Sequence, residues 1–307
     1  MVQLSVLDRA GMSVPADVRS NGINSILEFA DLAWNVEQKP IHSDYGVIPN
    51  LVANYRDDTH EFLGTVSPNK YKVVQNTEAF SFIDQLDNFQ VEKVGSFQNG
   101  KKVFVVGKEV STSFEIEQND RVDMYLTFVH GHDGLTAIRV LHCPIRMFCM
   151  NQMNMMLKSS DFKFSTKHTG DIGGKLEEIR GILQKGKNYM QNVQKEVQVM
   201  LNKPFNGDVD TFLERLFPID DNASTAQRMY NNGVKQTIRY TYMSCDNLQN
   251  FRGTCFGMYS AVSDFISHIE PQRRTKNSNE ADANLFIKSL EGNETLERCH
   301  LMLMEAA

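Results

Sequence analysis

Hydrophobic and polar positions alternate most clearly between residues 121 and 142. Val122, Met124, Leu126 and Phe128 alternate with Asp123, Tyr125 and Thr127, the period of a half-buried strand. His132-Asp133-Gly134 signals a turn, and Thr136, Ile138 and Val140 resume the strand pattern. A two-residue turn would pair Phe128 with Arg139 and place an arginine on the apolar face. An odd-length loop pairs Leu126 with Ile138 and Met124 with Val140, and sends Arg139 to the other face. The odd loop is preferred, with Gly134 in the left-handed conformation such loops use. The second face then holds Tyr125, Thr127, Val129, Ala137 and Leu141, too apolar to stand bare in water.

Upstream, Gln98-Asn99-Gly100-Lys101 carries the Asn-Gly pair of a type I′ turn, which pairs Val94 with Val105. Residues 91–142 thus read as four consecutive strands, most simply an up-and-down meander. Before them come a weak helix at 22–30 and extended chain from Trp34 to Ile48, held to edge structure by Pro40 and Pro49. A short strand follows at 62–66, then a helix capped by Asn76 or Thr77 with Phe80, Ile83 and Leu86 on its apolar side.

Helical spacing dominates afterwards. A helix is expected from Met150, with Asn151 as its cap. Leu176, Ile179, Leu183, Met190, Val193, Val197 and Met200 mark a long amphipathic helix over 172–201. Further helices are expected at 210–217, 226–243, 253–269 and 281–305, the last broken near Gly292. The fold class is α+β: an antiparallel β-meander packed with helices, followed by a mainly helical C-terminal half. The division falls near 165/166, giving a 1–165 part and a 166–307 part within what could be one continuous domain.

Composition narrows the function classes. An apolar fraction of 41% and a charged fraction of 23% describe a globular chain able to bury a core. No apolar run is long enough to span a bilayer, and the N-terminus lacks the pattern of a signal peptide. Cys143, Cys149, Cys245, Cys255 and Cys299 have no CxxC spacing and read as reduced thiols in a cytoplasm. The net charge of −6 opposes any polyanionic partner unless basic residues cluster locally.

Three places could carry chemistry. His130, His132, Asp133, His142 and Cys143 could form a metal site, but nothing fixes a tetrahedral set, and a polar hairpin tip explains them. Cys149 at a helix start could be a nucleophile with His142 or His168 as base; the simpler reading is a buried thiol. The segment from Lys158 to Lys175 interleaves Lys158, Lys163 and Lys167 with Phe162 and Phe164, then enters a helix through a Gly-containing loop. It fails the Walker A spacing, yet lysines and rings together suit a single strand.

The order YKVVQN, a hairpin with NG, HDG, CMN, KHT and RGTCFGMYSAVSDFISHI resembles a family of phage- and plasmid-borne proteins, domain of unknown function 932. The resemblance spans most of the chain from about Trp34 onward. It implies a mobile-element product in a bacterial cytoplasm and supplies no catalytic residues. The meander followed by a helix is also similar in topology to phage single-strand annealing proteins. The expectation is a non-enzymatic protein that binds single-stranded nucleic acid, as an annealing or protecting homo-oligomer without cofactor. Arg139, Arg146, Lys163, Lys167 and His168 would meet phosphate, and Phe162 and Phe164 would stack on bases. The alternative is a phage structural or host-interaction protein acting through protein surfaces. A hydrolase using Cys149 or the histidines comes third.

Overall fold

The computed structural model describes residues 11–117, 120–146, 151–152, 163–166, 172–269 and 293–305. The chain opens with β1 (Met12–Ser13), α1 (Ala16–Arg19) and α2 (Ile23–Phe29). Strands β2 (Val36–Ser43), β3 (Gly46–Arg56) and β4 (Phe62–Val66) form a small antiparallel sheet in that order. After α3 (Asn76–Phe80) come the four strands of the meander: β5 (Phe89–Phe97), β6 (Lys102–Glu117), β7 (Asp120–Gly131) and β8 (Ile138–Arg146). They lie in sequence order in a seven-stranded sheet completed by β1, β9 (Asn151–Gln152) and β10 (Lys163–Thr166). Helices α4 (Ile172–Asn202), α5 (Val209–Leu216), α6 (Thr225–Ser244), α7 (Cys255–Asp264) and α8 (Glu294–Glu305) form the C-terminal part. The architecture is α+β, as the residue pattern predicts.

The β5–β6 hairpin has the expected register. Asn99 and Gly100 take φ of 58° and 99°, as a type I′ turn requires, and Val94 pairs with Val105. The β7–β8 register differs from expectation. Leu126 faces His142 rather than Ile138, and Val140 faces Phe128 rather than Met124. The cause lies in the loop. The Asp133 carboxylate accepts from the backbone N–H groups of Leu135 and Thr136 and from the Thr136 hydroxyl, which withdraws them from the ladder. Pairing therefore starts only at Val129 and Arg139. The slip is an even number of residues, so faces are preserved: Arg139 stands opposite the apolar face, and Gly134 has the expected positive φ of 76°.

Two cores share one face of this sheet. Val103 and Val105 of β6 with Leu126 and Phe128 of β7 belong to the N-terminal core, beneath α2, α3 and Trp34. Phe114 and Ile116 with Val122 and Met124 belong to the C-terminal core, beneath α4 to α8. Odd positions of β6 point inward before the irregularity between Glu109 and Ser113, and even positions after it. This bulge lets one 16-residue strand serve both cores. The second face is buried too, through Phe104, Val106, Tyr125, Thr127, Val129 and Leu141.

Three local expectations are corrected. Asn151 does not cap a helix; it pairs with Arg146 in β9. Residues 163–166 are not linker but the antiparallel neighbour of β8, giving backbone partners to a strand whose Val140 and Leu141 are buried. Helix α3 starts from Gln75, and Asn76 bonds elsewhere. Met150 and 153–157 lie outside the described residues.

Candidate functional site

The histidines stand in the seam between the sheets rather than at a wet hairpin tip. His130, on β7, and His132, one residue past its end, are buried with ring centroids 4.4 Å apart, and His142 on β8 is buried too. The side chain of Asn76 orients the seam. Its amide donates to the Leu32 carbonyl at 2.9 Å, which fixes its oxygen as the acceptor for His132 Nε2 at 2.8 Å. His130 Nε2 meets the Val74 carbonyl at 2.9 Å, so both rings carry their proton on Nε2. Asn54 donates to the His132 carbonyl at 2.9 Å and ties β3 to the end of β7. Trp34 meets His132 edge-on at 5.1 Å and carries the Arg56 guanidinium over its ring at 4.6 Å. Arg56 grips Asp58 through two bonds, of 2.9 and 2.6 Å, and that pairing holds the Asp58 carboxyl down at about 2. The imidazoles of His130 and His132 tie the large sheet to the segment entering α3, and among the described residues no three His, Cys, Asp or Glu side chains are grouped to hold a metal ion.

The thiols among the described residues are poor nucleophiles. Burial pushes Cys143 up to about 12 and raises Cys255 and Cys299 as well. Cys149 lies outside the described residues.

On the second face of the sheet, the fully buried Asp123 carboxylate is held by Lys108 Nζ at 2.5 Å and Arg121 Nε at 3.2 Å. Next to it the Tyr125 hydroxyl donates to Glu92 at 2.9 Å, and burial with that carboxylate raises its pKa. These cations are committed to Asp123. Arg139 belongs to the same face. Register sets Lys163 opposite Leu141 and Ser165 opposite Arg139, so Arg139 and Lys163 fall on one face of adjacent strands. Phe164 stands opposite Val140 and therefore on the other face, and Arg146 stands opposite Val122. Phe162, Lys167 and His168 lie outside the described residues.

The residue pattern missed one exposed cluster. On the outer surface of the small sheet, Phe62 keeps 42% of its surface exposed beside Tyr55, with ring centroids 5.7 Å apart. Lys101, from the β5–β6 turn, reaches over the Phe62 ring at 5.6 Å. The irregularity between Asn54 and Tyr55 sets Tyr55 opposite Phe62 and leaves Leu63 to the core. Alternation alone reads Phe62 as one more strand residue, and Lys101 is 39 residues away in the chain. Glu37 pairs across the strands with Tyr55, and Glu61 accepts from Asn99 at 3.0 Å, so acidic groups border the cluster.

Antiparallel sheets followed by a helical part define an α+β protein. The family described as Domain of unknown function (DUF932) matches residues 62–285, and the chain belongs to that family. No curated protein and no solved structure matches it. No helix among the described residues is long and apolar enough to cross a membrane.

Proposed function

We propose that the protein binds single-stranded nucleic acid and performs no covalent chemistry on it. The observation that carries this reading is the Phe62–Tyr55 pair with Lys101 above it. A ring open to water, as Phe62 is, accepts a stacked base, and a neighbouring ammonium meets the backbone phosphate. Arg139 and Lys163, on the neighbouring strands β8 and β10, are the alternative basic place for such a strand. An annealing or protecting role in a mobile element, in a bacterial cytoplasm, fits the setting of the resemblance. With a net charge of −6 and Glu37 and Glu61 close by, stacking has to supply more of the affinity than charge does.

Fluorescence anisotropy with labelled single- and double-stranded oligonucleotides, at two salt concentrations, tests the reading. Single strands should bind more tightly, with a shallow salt slope of about −0.7 for each phosphate met. Phe62→Ala should cost on the order of 1–3 kcal/mol of binding. Absence of binding by the unaltered protein at low salt would overturn the proposal. The reading left standing would then be a protein-interaction role, which the fully exposed Tyr45 at the β2–β3 turn favours.

A further inference from the structure

A cleft of about 660 Å³ lies where α1 and the start of α2 face a 3-10 turn (Ser81–Gln85) and the first residues of β5. Its size is that of a small-molecule site. Buried Ile83 and Val91 and half-buried Leu86 supply apolar lining. Two charged side chains line it as well, Arg19 and Asp84. The cleft shares no residue with the Phe62 cluster, so a ligand there is independent of nucleic-acid binding.

Backbone bonds hold the two charges apart. Arg19 Nε donates to the Val14 carbonyl at 2.9 Å, which leaves both terminal nitrogens of the guanidinium for another acceptor. One Asp84 oxygen accepts from the Ile23 N–H at 2.8 Å, which leaves the second for another donor. Gly22, at φ 86°, packs directly on this carboxylate, and a Cβ there would stand 3.3 Å from both oxygens. Arg19 and Asp84 share the cleft without pairing, and neither has another ion-pair partner among the described residues. The nearby hydroxyl of Ser20 and amide of Asn21 are committed, since both donate to the Asp17 carbonyl. Exposed Gln90 adds an uncommitted side-chain amide to the lining.

An arginine fork offers paired donors to a carboxylate, and a carboxylate accepts in turn from an ammonium. One group of each sign gives the pair no net charge. A phosphate ester, with close to two negative charges, would meet the Asp84 carboxylate unfavourably. A ligand with one charge of each sign and an aliphatic body matches both ends of the cleft and the apolar lining between them. We infer that the cleft binds a small aliphatic zwitterion of amino-acid or dipeptide size. Its carboxylate lies on Arg19, its ammonium on Asp84, and its side chain against Ile83, Leu86 and Val91.

Isothermal titration calorimetry of the full chain with L-leucine and with leucyl-leucine tests the inference and decides the length of the ligand. At least one of them should bind. N-acetylation removes the ammonium and amidation removes the carboxylate, and each should weaken that ligand by on the order of tenfold or more. Asp84→Asn keeps an acceptor for the Ile23 N–H, so circular dichroism should report unchanged folding. This variant should bind the free and the N-acetylated ligand alike. Arg19→Gln should bind the free and the amidated ligand alike. A merely structural role would weaken all ligands together, whereas this coupling ties each ligand charge to one side chain. Absence of binding by both ligands at millimolar concentration would overturn the inference. So would full binding after loss of either charge, or variants that discriminate as the unaltered protein does.

Discussion

The imidazole of His132 donates to the side-chain oxygen of Asn76 at 2.8 Å in a seam that excludes water from both residues. The amide of Asn76 is bonded at both ends there, its oxygen to His132 and its nitrogen to the Leu32 carbonyl. Asn76→Ala removes both partners without opening a route for water. Each buried group left without a bond costs on the order of 1–3 kcal/mol. Urea denaturation should show a loss in that range or above, with an unchanged m-value. A loss below about 0.5 kcal/mol would mean that the seam admits water as a substitute.

The small sheet approaches the β7–β8 loop very closely at Gly64 and again at Gly134. A Cβ on Gly64 would lie 2.6 to 2.8 Å from the backbone atoms of Asp133. Backbone cannot rotate away, and Asp133 is fixed by its bonds to Leu135 and Thr136. Gly64→Ala should therefore destabilise by about 1–3 kcal/mol, the usual cost of overpacking. Gly233→Ala is the control, because a Cβ there meets nothing within 4 Å. On a helix that change should be neutral or stabilising. Thermal melts of the two variants side by side check both expectations.

These two positions also mark where the sequence was legible. Strand order, the Asn-Gly hairpin and the helical half follow from local periods of two and 3.6, which neighbouring residues specify. The Leu126–His142 register did not follow, because Asp133 takes backbone donors that a simple hairpin would use in its ladder. The role of His130 and His132 was hidden for a different reason. Their partners, Val74 and Asn76, lie 56 residues away, and no local pattern announces a contact at that separation. The Phe62 cluster was hidden likewise, since it depends on an irregularity in β3 and on a lysine from another hairpin.

His300 gives the protein a defined acid sensitivity. The ring is buried on α8, with Glu196 of α4 at 3.2 Å and the Tyr259 ring of α7 at 6.4 Å. Burial lowers its pKa below the ordinary 6.5, and Glu196 opposes that only in part. Between the lowered value and 6.5 the unfolded chain binds more protons than the folded one. Stability is then complete above 6.5 and declines as pH falls through that interval. Asp58, held at about 2, and Asp208, lowered by its bonds to Thr211, titrate in a separate, more acidic range. His300→Gln should lose less stability than the unaltered protein between about pH 6.5 and pH 5. Denaturation midpoints for both proteins across that interval measure the difference, and parallel curves would remove His300 as the cause.

Two patches compete as the place where a single strand would lie, and their substitutions behave differently. Phe62 contributes a ring, so Phe62→Ala should weaken binding by about 1–3 kcal/mol while leaving the salt slope unchanged. Lys101 contributes a charge, so Lys101→Ala should flatten the slope by about 0.7. Lys163→Ala with Lys167→Ala should flatten it by about 1.4 if both lysines meet phosphate. Because Phe62 and Lys101 stand at the surface, folding of these two variants should stay within about 0.5 kcal/mol of the parent. Loss confined to Phe62 and Lys101 would locate the strand on the small sheet. Loss confined to Lys163 and Lys167 would locate it on the edge of the large sheet. Full affinity and an unchanged slope in all of these variants would defeat both patches.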